Sequence, residues 1–155
     1  MIRRAKVNDA SRIAEILIFT KRVNYRQIFR NDVVSFGEMQ VYPLAKELID
    51  CPDKLKNIWV YDDDFVKGMI HINGPEIAEL YVDSFFANQG IGAQLMEFAT
   101  GQMHCRFLWV LEKNIHAIRF YKKHGFSFTG EKRLQEGTVE TLLKMSRPQP
   151  SALDE

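Results

Sequence analysis

Asn88-Gln-Gly-Ile-Gly-Ala-Gln-Leu-Met-Glu-Phe-Ala99 decides the reading of this chain. Two glycines stand one residue apart where an apolar strand, Ile77 to Val82, gives way to a helix from about Ile91 to Gln102. The first N–H groups of a helix have no intrahelical partner, and the helix dipole adds partial positive charge there. An anion satisfies both, and phosphate does so well. Gly90 and Gly92 let the backbone approach such an anion without a Cβ in the way. Gln89, Gly90, Ile91, Gly92 and Ala93 are therefore read as a pyrophosphate cradle. The loop is not GxGxxG, because Leu95 stands where the third glycine belongs, and no Gly-Lys-Ser/Thr follows to make a Walker loop. For the two glycines alone, a tight turn without a ligand is the competing reading.

Downstream, Phe107–Leu111 reads as a buried strand and Ile115–His124 as a helix stopped by Gly125. Asn114 sits at the junction, where it can cap the helix. Ala117, Phe120 and Tyr121 are spaced three and four residues apart and share a helical face. A tyrosine there buries its ring and keeps its hydroxyl at a cleft. Phe126–Glu131 and Val139–Met145 read as two closing strands.

Upstream, Ile58–Tyr61, Phe65–Ile72 and Ile77–Val82 form an antiparallel meander. Asp62-Asp63-Asp64 and Asn73-Gly74-Pro75 make its turns. Ile2–Val7 is a first strand, and Asn8-Asp9 or Ser11 caps the helix after it. That helix runs through Ile13, Ile16 and Leu17 to Tyr25. A second helix has Pro43 in its first turn and Leu44, Leu48 and Ile49 facing inward. The span Arg26–Asp50 is otherwise hard to read.

A strand ending LYV, a GIG loop opening a helix, then N-x-x-A-x-x-F-Y-x-x-x-G-F: in that order, these resemble the GCN5-related N-acetyltransferases (GNAT). The resemblance covers Trp59 to Leu143 well and the first 55 residues only in element order. It implies an α/β (mixed α+β) single-domain fold. A mostly antiparallel, splayed sheet of six or seven strands is flanked by about four helices. The domain is expected over residues 1–146, with a flexible tail over 147–155. The implied activity is transfer of an acetyl group from acetyl-CoA to a primary amine, by direct attack on the thioester.

By the same resemblance, the pantetheine arm pairs with Leu80, Tyr81 and Val82, and Asn114 reaches it. Tyr121 matches the position from which relatives protonate the leaving thiolate. Glu79 matches the glutamate base of several relatives, although strand alternation turns it away from Leu80 and Val82 unless a bulge intervenes. Glu112 and Asp83 are further carboxylates near the site, and water is the other route for the amine's proton. One position departs from the family. Its phosphate loop usually begins with glutamine or arginine, and here that position is Ala87, so one side-chain contact is missing or falls to Gln89.

Composition narrows the alternatives. The net charge of +1, from 21 basic and 20 acidic residues, gives no global field for nucleic acid or membrane. The start MIRRAKVNDA lacks a signal peptide's apolar core, no apolar run approaches a spanning helix, and two cysteines make no disulfide framework. A cytoplasmic enzyme is expected. His71, His104, His116 and His124 lack zinc-ligand spacing, so no metal is expected. Cys105 is read as a structural thiol. Lys122-Lys123-His124 is a solvated helix end or a contact for the 3′-phosphate of CoA. The basic run Lys21–Arg30 is a charged helix face or a patch for an acidic partner. Many members of the family this chain resembles dimerise through their C-terminal strands, so homodimerisation is looked for at Val139–Met145. The rival function is a non-catalytic acyl-CoA sensor of the same fold; a nucleotide-binding regulator is disfavoured because no acidic ribose contact or γ-phosphate lysine is in place.

Overall fold

Period-two alternation sorts the strand residues onto two faces, and each face collects its own helices. The computed structural model describes residues 1–29 and 41–148, with side chains described within 1–22 and 41–148. The strands are β1 (Ile2–Arg4), β2 (Ile58–Asp63), β3 (Phe65–Asn73), β4 (Glu76–Val82), β5 (Phe107–Leu111), β6 (Ser127–Leu134) and β7 (Thr141–Ser146). The helices are α1 (Ala10–Phe29), α2 (Val41–Asp50), α3 (Ile91–Glu97) and α4 (Ile115–Lys123). One seven-stranded sheet runs in the order β1-β2-β3-β4-β5-β7-β6. Every neighbouring pair is antiparallel except β4 and β5.

Val60 and Met69 pack with Ile13, Ile16 and Leu17 of α1 and Leu48 of α2. Trp59, Ile70, Ile72, Leu108, Val110 and Met145 face the other way, onto Ile91, Leu95 and Met96 of α3 and Ile118 of α4. Gly68 brings α3 close to the sheet. A Cβ there would stand 3.1 Å from Ile91 Cγ2 and 3.2 Å from Leu95 Cδ1.

The expected elements are present, with several differences; β2 takes in Asp62 and Asp63, which leaves Asp64 alone at the turn. The first strand ends at Arg4, and Val7–Asp9 is a 3₁₀ turn. In α2, Ala45 and Leu48 are the buried residues, while Ile49 is exposed. The α-helix after the glycine loop stops at Glu97 and continues as a π-helical turn, Phe98–Gln102. The closing strands are each shifted, to Ser127–Leu134 and Thr141–Ser146. Tyr25 and Arg26 keep their helical backbone but lie outside the described side chains. Arg30, and the tail from Gln149, lie outside the described residues.

Asp9 ties the N-terminus together. Its carboxylate accepts from Arg3 Nη1 and Nη2 at 2.8 and 2.9 Å and from the Lys6 N–H at 2.8 Å. The Arg3 hydrogen bond holds its carboxyl below the usual carboxylate range despite burial. A carboxyl with a lowered folded pKa contributes stability above its unfolded pKa and loses it as pH falls through the folded value. Asp9→Asn should therefore cost about 1.5–3 kcal/mol at pH 7, the range for hydrogen bonds to charged groups. The gap between mutant and wild-type melting temperatures should narrow on acidification below about pH 4. Thermal melts at pH 7 and pH 3 test this; an equal gap at both would remove the ion pair as the cause.

Candidate active site

β4 and β5 pair only at their beginnings, Glu76 with Phe107 and Ile77 with Leu108. Beyond those two rungs the strands part, and a cleft of about 1090 Å³ opens between them. β4 also carries a bulge: His71 opposes Glu79, but Ile72 opposes Ile77, so Ala78 is the extra residue. The bulge lets Ile77 and Leu80, three apart, both reach the α3 side of the sheet. It does not bring Glu79 there. Glu79 shares the α1 face with its register partner His71 and with Tyr81.

The cleft brings together most of the residues singled out in the sequence: Glu79, Leu80, Tyr81 and Val82 from β4, Gly90, Ile91, Gly92 and Ala93 from the loop, and Asn114 and Tyr121. Gln89 is the exception. It does not line the cleft, whereas Asn88 and Ala87 do, so no Gln89 side chain stands in for the missing loop residue. Asn88 and Gly90 both have left-handed backbones, with φ of 62° and 82°, and that double turn swings residue 89 outward. The two glycines have different reasons. Gly90 is required by its φ, since a Cβ there would meet nothing within 4 Å. Gly92 packs against another helix: a Cβ there would lie 3.4 Å from the Phe120 ring, at the near edge of ordinary contact.

The helix that starts at Ile91 runs on to Gln102 through its π turn, and its first intrahelical bond comes from Gln94 N–H to Gly90 C=O at 3.1 Å. The N–H groups of Ile91, Gly92 and Ala93 thus face the cleft without a helical acceptor, as an anion cradle requires. Asn114 caps α4, its Oδ1 accepting from Ala117 N–H at 3.2 Å. That bond leaves its amide N–H₂ to donate. Tyr121 packs its ring edge-on against Phe120 and Phe126, with centroids 5.5 and 6.2 Å away. Lys123 and His124 line the same end of the cleft; Lys122 instead lies over the Phe128 ring at 4.8 Å. Burial and Lys123 push His124 down, so its imidazole is mainly neutral at pH 7.

On the α1 side, Glu79 Oε2 is shielded from solvent and stands 3.2 Å from Lys21 Nζ, an ion-pair separation without hydrogen-bond alignment. His71 Nδ1 lies 3.8 Å from Oε1. Burial alone would raise the Glu79 carboxyl, but His71 and Lys21 outweigh it and the net shift is downward. The other carboxylates are placed elsewhere. Asp83 is held by Arg12 Nη2 at 2.5 Å and accepts from Phe85 N–H, and Glu112 is exposed outside the cleft. Cys105 is buried, and burial pushes its thiol up to about 11, which makes it unreactive. No group of three potential metal ligands occurs among the described residues, and no helix among them is long and apolar enough to cross a membrane. No local pattern signals Lys21 beside Glu79, nor Trp109 and Arg133 in the cleft wall. These are contacts between elements far apart in the chain.

A mixed sheet parted between its fourth and fifth strands, with a helix N-terminus over the gap, is the architecture of the N-acetyltransferase fold. Residues 54–128 match the acetyltransferase (GNAT) domain model. The peptidyl-lysine N-acetyltransferase YjaB of Salmonella typhimurium is 33% identical over 94 residues, 59% of this chain and 65% of that protein. The spermine/spermidine N(1)-acetyltransferase of Bacillus subtilis is 29% identical over 77 residues, 46% of this chain and 47% of that one. The chain thus spans less than two thirds of the length of these curated relatives. Among solved structures, an N-acetyltransferase from Staphylococcus aureus superposes with a TM-score of 0.73 at 17% identity, covering 94% of this chain and 99% of that one. Apo YjaB from Escherichia coli gives 0.64 at 23% identity, with 94% and 95% coverage. At such identities these two establish the fold. What the chain shares with the GCN5-related N-acetyltransferases is thus the fold and, over residues 54–128, the sequence pattern of their domain.

Proposed function

We propose that this chain transfers an acetyl group from acetyl-CoA to a primary amine, with residues 1–146 acting as one catalytic domain. The observation that carries the reading is the gap between β4 and β5. It opens directly onto the free N–H groups of Ile91, Gly92 and Ala93 and is flanked by Tyr121. Bound there, acetyl-CoA supplies an activated acyl carbon and a thiol leaving group. The loop amides hold the diphosphate. The edge of Leu80–Val82 that borders the gap takes the extended arm as an added strand would, with the Asn114 amide donating to it. A backbone N–H near Val82 stabilises negative charge on the acyl oxygen. Tyr121 donates the proton to the thiolate.

Glu79 is ionised at neutral pH and accepts a hydrogen bond from the incoming amine. The same carboxylate takes the amine's proton directly or relays it through water. Tyr121 in the cleft favours catalysis over acyl-CoA sensing. The free Cys51 and the buried Cys105 suit a reducing, cytoplasmic setting. Self-association at residues 139–145 would need a face rather than an edge, because β7 is paired on both sides.

Calorimetric titration tests the reading. Acetyl-CoA should bind with a micromolar dissociation constant while ATP does not, and an amine panel should then release free thiol. Absence of acetyl-CoA binding would overturn it.

A further inference from the structure

The acceptor half of the cleft carries a charge arrangement that the acetyl-transfer reading does not use. Leu108 and Val110 of β5 belong to the core beneath α3 and α4, so alternation turns Trp109 to the α1 face. Arg133 of β6 is on that face too, its register partner being Leu142 and that residue's partner in β5 being Leu111. The Arg133 guanidinium lies over the Trp109 indole, 4.3 Å from its centroid. Both residues line the cleft, as do Lys21 and Glu79 on the same face. Arg133 makes no ion pair among the described residues, while the Glu79 carboxylate is matched by Lys21.

A guanidinium held over an aromatic ring can still donate N–H groups from its edge, and that fork matches a two-oxygen anion. A polycation meets the opposite situation. Lys21 and Arg133 offset Glu76 and Glu79, so this end of the cleft has no net negative charge to attract it.

We propose that the acceptor is a primary amine that also bears an oxyanion, a carboxylate or phosphonate-type group, and that Arg133 on Trp109 binds the oxyanion while the amine meets Glu79. This rests on the acetyl-transfer reading and names its substrate class. Arg133 is a specificity-determining residue, since an oxyanion seated there sets which amine reaches the thioester.

The test compares thiol release with an ω-amino carboxylate, the aminoalkyl phosphonate of equal length, the neutral amide analogue and spermidine. Calorimetric binding of each to the CoA-saturated protein runs in parallel. The wild type should favour an anionic acceptor over its neutral analogue by tenfold or more in kcat/KM and in affinity. Arg133→Gln should collapse that ratio to near one by raising KM, and Arg133→Lys should restore part of it. The carboxylate and phosphonate arms separate the two oxyanions. Equal loss on all acceptors in Arg133→Gln, or a wild-type preference for spermidine or the neutral amide, would overturn the proposal. Either result would leave acetyl-CoA binding intact, whereas failure of the acetyl-transfer reading removes that binding itself.

Discussion

Tyr121→Phe is expected to lower kcat about a hundredfold or more, the usual contribution of a positioned general acid, while the dissociation constant for acetyl-CoA stays within about twofold. The phenyl ring fills the same space. The contacts with Phe120 and Phe126 depend on the ring and not on the hydroxyl, so α4 keeps its place. What is removed is the proton source for a departing thiolate. A cysteine thiol has a pKa near 8.5, so below that pH an expelled thiolate takes up a proton, and a placed donor assists its departure. The loss should therefore depend on the leaving thiol, being smaller for an acetyl thioester of a more acidic thiol. Steady-state rates with both donors, beside calorimetry of the variant, make the measurement. Unchanged turnover would remove Tyr121 from the role.

Phe126→Ala should have the largest effect on stability. Phe126 is 2% exposed and sits among Ile118, Leu95 and Met145 in the core beneath α3 and α4. It follows Gly125, whose φ of +90° turns the chain out of α4 and back into β6. Truncating a buried phenylalanine costs about 3–5 kcal/mol. For a chain of this size that lowers the melting temperature by on the order of 10 °C. Phe126 also braces Tyr121, so Phe126→Leu, which keeps most of the volume, should reduce kcat more than it reduces stability. Melting curves and rates on the two variants separate bracing from bulk stability. If Phe126→Leu lost neither, the ring contact would carry no functional weight.

The parts of this protein visible in its sequence are those encoded locally. The meander announced itself through alternation and the turn residues around Asp64 and Gly74. The loop announced itself through Gly90, whose left-handed backbone almost any other residue would strain. Gly92 was legible as a glycine but not for its reason, because its neighbour Phe120 lies in another helix. Gln89 stands outside the cleft wall because the residues on either side of it, Asn88 and Gly90, are left-handed and reverse the chain around it. No side-chain pattern records that reversal. The π turn after Glu97 is silent for a similar reason, since the apolar spacing of Leu95, Met96 and Ala99 suits an ordinary helix as well. Lys21 beside Glu79 and Arg133 over Trp109 join residues that only the folded sheet brings together.

The two-rung junction of β4 and β5 also bears on how the protein avoids clumping. A strand with unpaired N–H and C=O groups is a template on which another chain can build sheet. The outer rims of this sheet are guarded: β1 is three residues long and carries Arg3 and Arg4, and β6 carries Glu131, Lys132 and Arg133. Leu80–Val82 is a third rim, but it is recessed inside the molecule, with β5 standing across from it. A narrow thioester arm can slide into that slot, whereas a neighbouring protein's strand, which arrives with side chains and a sheet attached, is turned away by the opposite wall. Under the acetyl-transfer proposal, one partial separation of two strands thus both admits the thioester arm and shields a strand edge from other chains.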